Sequence, residues 1–269
     1  SLDENNRKLI QEKEILEKEK KNISKTKDHS LFEKSKKISE QILKYTKEQS
    51  NIKKKLDEIL ISIPNIALKD VPVGKNESSN KEISTNGVMP KFKFKPKSHY
   101  ELGKKLQMLD FDLATRTTGS RFVFVTEKLA QLERAISNFM MDTHINFNGY
   151  KEVSPPLMAS DSTMFGTGQL PKFETDQFEI KLDDENDRKF LIPTAEVILT
   201  NMVKDQILNL KDLPMRLVAS TPCFRKEAGT YGKDTKGMIR QHQFYKVELV
   251  SIVDPKNSLE ELDRMTGCA

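Results

Sequence analysis

Apolar residues recur every seven positions at Leu2, Leu9, Leu16 and Ile23, and again at Leu31, Ile38, Tyr45, Ile52 and Ile59; Ile42, Leu56 and Ile63 fill interleaved positions, and Gln49 is the polar exception. A seven-residue spacing held this long predicts two helices wound as a left-handed coiled coil. The interruption at 28–30 predicts that they fold back into an antiparallel hairpin. At ~1.5 Å per residue, a second helix of about thirty residues would reach roughly 45 Å. Pro64 stops the pattern, because proline cannot continue a helix. From 64 to 98 no period survives, and Gly, Pro, Asn, Ser and Lys predict a linker in which Lys91 to Lys95, KFKFK, is a basic spacer with a brief extended segment.

The pattern changes at His99. A short helix is expected from Tyr100 to Leu109, then a strand entered from Gly119 in TTGSRFVFV. A helix over 126–145 would carry Leu129, Leu132, Ile136, Phe139, Met140 and Thr143 on one stripe, read as core packing. Between Thr221 and Val253 the period becomes two, which predicts two antiparallel strands joined by a long loop with Gly229, Gly232 and Gly237. Alternation places Phe244, Lys246 and Glu248 on one face and Tyr245, Val247 and Leu249 on the other. Arg225 and Glu227, two apart, are expected on a common side of the first strand. The fold class is α+β: a helical hairpin arm over 1–63, a linker over 64–98 and a sheet-containing domain over 99–269.

Composition adjusts this picture. Of the 269 residues, 36% are hydrophobic and 32% charged, which is low for a compact globule and natural if part of the chain is an extended arm. No apolar run approaches the roughly 20 residues that cross a bilayer, and Cys223 and Cys268 form neither metal-ligand spacing nor a disulfide framework, so the expected setting is cytoplasmic. The net charge of +5 permits an acidic partner without demanding one. Lys18, Lys20, Lys21, Lys25, Lys27, Lys34, Lys36 and Lys37 crowd towards the expected tip of the arm, either as a solvated coiled-coil surface or as a phosphate-binding patch.

The hairpin carries the chemistry. A guanidinium fork suits phosphate oxygens, an aromatic face can stack on a nucleobase, and a carboxylate can hold an ammonium. Arg225, Glu227, Arg240, Phe244 and Glu248 therefore suit a nucleoside triphosphate beside an amino acid; a charged hairpin with one wet face is the plainer alternative. In Pro193-Thr194-Ala195-Glu196 the ordinary reading is a helix start, with Thr194 as cap and Glu196 in the first turn. His242, between two glutamines, reads as a hydrogen bonder that fixes the loop; His29, His99 and His144 show no partner pattern, and Cys223 reads as packing.

The run FRKEAGTYGKDTKGMIRQHQFYKVE resembles the second signature motif of class II aminoacyl-tRNA synthetases, in the seryl-tRNA synthetase version; TGQLPKF (Thr167 to Phe173) and LIPTAEVILTN (Leu191 to Asn201) resemble the same family in the same order. The resemblance extends over essentially the whole chain. It implies a class II antiparallel-sheet catalytic domain that activates serine with ATP and transfers it to the 3′ end of tRNA(Ser), and of the selenocysteine tRNA where that exists. Thr194, Glu196 and Glu248 would line the serine pocket. Arg225 would clamp the α-phosphate and the substrate carboxylate, Glu227 would hold ATP, Phe244 would stack under adenine and Arg240 would touch the outer phosphates. Lys20, Lys21, Lys25, Lys27, Lys34, Lys36 and Lys37 would grip the long variable arm of the tRNA.

The resemblance also implies a homodimer built on the helix over 126–145 and the strand in Gly149 to Met158, GYKEVSPPLM. It implies Mg2+ on the phosphates, with a protein ligand expected beyond Ala269. The chain opens at Ser1 without methionine and ends inside a helix begun near Ser258, so a short N-terminal segment and the family's third motif are expected to lie outside it, and this stretch alone is expected to be inactive. Two other readings stand beside the ligase. A synthetase-like ligase for a carrier protein would keep the ATP motif and lack the arm; a non-catalytic RNA-binding or dimer scaffold would keep the arm and lose the site.

Overall fold

The computed structural model describes residues 1–26, 29–184, 186–228 and 236–269, with the side chain of His29 outside that set. The chain divides into two units, Ser1–Gly87 and Val88–Ala269.

In the first unit, α1 (Leu2–Thr26) and α2 (Phe32–Leu60) pack side by side, which their short connection makes antiparallel. Leu2, Leu9, Leu16 and Ile23 face Leu31, Ile38, Ile42, Tyr45, Gln49, Ile52 and Leu56 at the half-buried to buried positions. The heptads stop there. Ile59 and Ile63 are exposed. The helix also ends at Leu60, before Pro64. Pairs such as Arg7–Asp3, Lys8–Glu12 and Lys44–Glu48 lace the outer faces, each contributing a few tenths of a kcal/mol, about 0.3–0.5, as exposed pairs do. The segment after α2 holds no regular element beyond a single turn at Glu77–Ser79, and Phe92 and Phe94 stand exposed.

The second unit begins with α3 (His99–Lys105), closed by a capping box between Ser98 and Glu101. Then follow β1 (Leu109–Asp110), α4 (Phe111–Thr117) and β2 (Phe124–Val125), with β1 antiparallel to β2. The long helix α5 (Glu127–Asn146) leads to β3 (Lys151–Glu152), β4 (Met158–Ser160), α6 (Asp161–Gly166), β5 (Glu179–Ile180), β6 (Lys189–Leu191) and α7 (Glu196–Asn201). The chain ends with β7 (Met215–Phe224), β8 (Gln243–Ile252) and α8 (Ser258–Cys268). Strand order is β3-β7-β8 in one sheet and β4-β6-β5 in another; every pair is antiparallel except β3 with β7.

The sheet β3-β7-β8 is covered on both faces. On one face Leu217 and Ala219, with Met215 and Val250 beside them, pack under Ala195 and Leu199 of the α7 segment. On the other, Val218, Val247 and Leu249 pack against Met141, Ile145 and Tyr150. This differs from the stripe expected on α5. Leu132, Ile136, Phe139 and Met140 are exposed, because the helix turns Ser137, Met141, His144 and Ile145, spaced at three to four residues, towards its own sheet. Ser137 Oγ lies 2.7 Å from Ser220 Oγ on that side. The other apolar stripe is left over.

Candidate functional site

Strands β7 and β8 run in register from Met215↔Ile252 to Phe224↔Gln243, so Ala219 faces Glu248, Thr221 faces Lys246 and Cys223 faces Phe244. Directly opposed residues share a face. That face is the one capped by α7 at its apolar end; beyond Ala219 it carries a charge, a cation and a ring above a floor of small side chains. Cys223 is fully buried in that floor, and burial pushes its thiol pKa up.

Four groups from two stretches of chain meet on the dressed end. Thr194, buried, donates its hydroxyl to the Glu248 carboxylate. Lys246 Nζ donates to the same Thr194 oxygen at 2.8 Å and pairs with Glu248. The Glu196 N–H reaches Thr194 Oγ1 at 3.3 Å. Helix α7 starts at Glu196, with Ala195 at the boundary and no side-chain cap from that residue; the Thr194 hydroxyl both accepts from the Glu196 N–H and donates across to Glu248. Glu196 is exposed as a residue, while its carboxyl is partly shielded by neighbouring protein groups. Burial there, then the neighbouring Glu248 carboxylate, raises its pKa, while Lys246 and Arg225 offset part of that rise. The cluster holds a carboxylate short of positive charge.

Arg225 and Glu227 do not extend the strand. β7 ends at Phe224, and Glu227 takes the left-handed conformation at φ 52°, so a turn, not alternation, brings the two side chains together. Arg225 Nε donates to the Pro193 carbonyl at 3.2 Å, and its guanidinium lies 5.3 Å from the centre of the Phe244 ring. Glu227 pairs with Arg240 at 2.8 Å. Arg225 and Glu227 line a cavity of about 280 Å³ with Gln169, Phe173, Asp176, Gln177 and Pro193. His242 fixes this turn, its Nδ1 2.9 Å from the Arg225 carbonyl oxygen and its ring between Phe122 and Phe178. Every residue expected in the ATP and serine sites thus lies at this end of the hairpin.

Sequence reasoning passed over several supports. Lys246 was on the predicted face but had no role; its spacing to Glu248 was the available signal. Asp176 and Gln177 lie between TGQLPKF and LIPTAEVILTN and had no visible pattern. His99 does have a partner: its Nε2 accepts from Met238 N–H at 2.8 Å. Gly237 beside it has φ 76°, and an added Cβ would fall 2.1 Å from His99 Nε2, so only glycine fits. Gly229 and Gly232 lie outside the described residues, as does Lys27. Among the other arm lysines, Lys21, Lys25, Lys36 and Lys37 are exposed, Lys20 is half-buried, and Lys34 is exposed but paired with Glu19. Among the described residues no three of His, Cys, Asp and Glu gather closely enough to hold a metal ion. No helix among them is long and apolar enough to cross a membrane.

A second charged cluster lies on the opposite face, at the other end of the hairpin. Glu261 of α8, 7% exposed, accepts from Arg216 Nε and NH2 at 2.8 and 2.7 Å, from Arg264 at 2.8 and 3.1 Å, and from Ser251 Oγ at 2.8 Å. Arg264 also reaches Tyr150 Oη at 2.9 Å. These donors, Arg216 first, hold the Glu261 carboxyl far below the usual carboxylate range.

Residues 174–267 match the tRNA synthetase class II core domain (G, H, P, S and T). The chain is 73% identical over its 269 residues to the serine–tRNA ligase of Pelagibacter ubique and spans 64% of that protein's length. Among solved structures, seryl-tRNA synthetase from Pyrococcus horikoshii complexed with ATP superposes with a TM-score of 0.87 at 35% identity, covering 98% of this chain and 65% of the other. Cytoplasmic serine–tRNA ligase from Naegleria fowleri in complex with AMP gives 0.85 at 29%, covering 99% and 62%. An α+β chain with this hairpin, this carboxylate and threonine cluster and these likenesses belongs to the seryl-tRNA synthetase family.

Proposed function

We propose that this chain supplies the RNA-gripping arm and most of the ATP and serine site of a cytoplasmic serine–tRNA ligase. The observation that carries the reading is the meeting of Thr194, Glu196, Lys246 and Glu248 beside an arginine held against an aromatic ring. Serine's ammonium supplies the positive charge that Glu196 lacks, and its hydroxyl finds partners in Thr194 and Glu248. Alanine would leave those buried groups unpaired, which makes its rejection the easier task. Arg225 holds the serine carboxylate and the α-phosphate of ATP in line, adenine takes the open face of Phe244, and Glu227 and Arg240 border the rest of the nucleotide. A carboxylate oxygen of serine attacks the α-phosphorus, pyrophosphate leaves, and seryl-adenylate forms. A ribose hydroxyl at the tRNA 3′ end then attacks the seryl carbonyl carbon and releases AMP. Neither step uses a nucleophilic side chain, so positioning and charge supply the acceleration. Magnesium, implied by the family, supplies charge neutralisation on the phosphates when bound, and none of the side-chain roles above depends on a protein ligand to it.

Serine-dependent exchange of pyrophosphate into ATP by the full-length protein tests this reading. Exchange with serine and not with threonine or alanine is expected; none with serine would favour the scaffold. A ligase for a carrier protein has no use for the arm, whose exposed Lys21, Lys25, Lys36 and Lys37 support phosphate contact, and tRNA(Ser) binding should weaken steeply with salt. The unused apolar stripe of α5, Leu132, Ile136, Phe139 and Met140, supports a homodimer through that helix. Ile136→Glu is then expected to give a monomer by light scattering.

A further inference from the structure

We infer that Arg121 and Asp176 are positioning residues for nucleotide binding: together they grip the Glu227–Ala228 peptide from both ends and so aim Glu227 into the cavity it shares with Arg225. The inference rests on the proposed ATP site. Glu227 sits at φ 52°, a conformation that side-chain-bearing residues avoid. Something must hold it there. The carbonyl of that residue accepts from Arg121 NH1 at 3.0 Å, and the N–H of the next, Ala228, donates to Asp176 Oδ1 at 2.7 Å. A peptide plane caught at its oxygen and at its nitrogen cannot rotate, so the torsions on either side of it are set.

The grip is wider than one peptide. Lys226 N–H donates to the Asp176 main-chain oxygen at 2.8 Å, and Arg121 NH1 also reaches the Lys226 carbonyl at 3.5 Å. Arg121 is itself tied in, since its carbonyl accepts from His242 N–H at 3.0 Å, and His242 is bonded to Arg225. Asp176 lines the same 280 Å³ cavity as Arg225 and Glu227. Two residues 55 positions apart in sequence, neither on the hairpin, thus close around the four residues that carry its cavity-facing charges. A β strand would have pointed Glu227 by alternation; here the clamp does it.

The test uses the full-length protein and reads ATP and serine separately. Asp176→Ala frees the Ala228 N–H, and the KM for ATP in serine-dependent exchange should rise about tenfold, the effect of one lost charge-assisted hydrogen bond. The KM for serine and kcat should stay within about twofold. Asp176→Asn keeps an acceptor oxygen at the same place and should recover most of the loss; Arg121→Ala should match Asp176→Ala. In a Glu227→Ala background, Asp176→Ala should add less than a further twofold, because no carboxylate remains to be aimed. Full additivity there, an equal rise in both KM values, or an Asn variant as impaired as Ala would overturn the clamp. Stabilisation by ATP alone, read as a thermal shift across the same variants, answers the question even if the wild type shows no serine-dependent exchange, so failure of the clamp and failure of the ligase reading are told apart.

Discussion

The two charged clusters on the β7–β8 hairpin use the same residue types and are finished differently. At the Arg216 end, the Glu261 carboxylate has two arginines and a serine hydroxyl directed at it, and its pKa is driven down. At the Phe244 end, Glu248 is matched by Lys246 and Thr194, but Glu196 stands open to solvent with its pKa raised by burial and by its neighbour. The first cluster is complete; every donor it needs is in the chain. In the second, Lys246 and Arg225 only partly offset the rise in the Glu196 pKa, which supports the proposal that Glu196 receives an ammonium. Charge density alone would have ranked the Glu261 cluster as the richer site. The carboxylate pKa moves in opposite directions in the two clusters.

Removing one charged side chain from each cluster should show that difference most strongly. Arg225→Ala takes away the group proposed to face the developing charge on phosphorus, and exchange should fall by about 10²–10³ while thermal stability hardly moves. Glu261→Ala should act the other way round. It strands Arg216 and Arg264 and should cost about 3 kcal/mol of stability, the low end for breaking a buried pair because both arginines keep some access to water. Exchange per folded molecule should be unchanged. Because the Glu261 pKa is depressed in the folded state, its contribution is fully present above the ordinary carboxylate pKa of about 4.3 and drains away as pH falls below it. Glu261→Gln should therefore lower stability at neutral pH and flatten the acid limb of the stability curve.

Much of this contrast could be read before any coordinates. Heptads announced both helices of the arm, and period two announced β7, β8 and the shared face of Phe244, Lys246 and Glu248, because local periodicity follows from which face is buried. What periodicity cannot say is which of two apolar stripes a helix will bury at home. On α5 the stripe of Met141 and His144 won over that of Ile136 and Phe139, a decision made by the shape of the sheet beneath. Nor does periodicity reach through turns. Arg225 and Glu227 were expected side by side along a strand, and they meet instead because Asp176 and Arg121, far away in sequence, hold the chain in a left-handed bend. The completed Glu261 cluster was invisible for the same reason, since Arg216, Ser251 and Glu261 share no spacing.

Glu196 gives a smaller effect of opposite sign to Glu261. A carboxyl with a raised folded pKa contributes stability below its unfolded value, near 4.3, and loses it as pH rises through the folded value. At neutral pH the native ionised group is thus a liability, and Glu196→Gln should leave the protein as stable or slightly more so. The KM for serine should nevertheless rise about tenfold, the loss of one charged partner for the ammonium. In the wild type, serine should bind less well as pH falls below the raised Glu196 pKa, since the protonated acid no longer attracts it; the Gln variant should show no such limb. A parallel acid limb in both proteins would move the ammonium partner to Glu248.

The smallest change tests whether the closed cluster is as complete as its geometry implies. Ser251 gives Glu261 the last of its donors, at 2.8 Å from β8, while the arginines already supply four hydrogen bonds. Ser251→Ala removes a neutral donor from a carboxylate that stays bridged by two cations, so the loss should be about 1 kcal/mol or less in urea unfolding. Combined with Glu261→Ala it should cost nothing further, because the hydroxyl then has no carboxylate to serve. An additive loss would mean that Ser251 stabilises the strand independently and that the Glu261 cluster is held by its arginines alone.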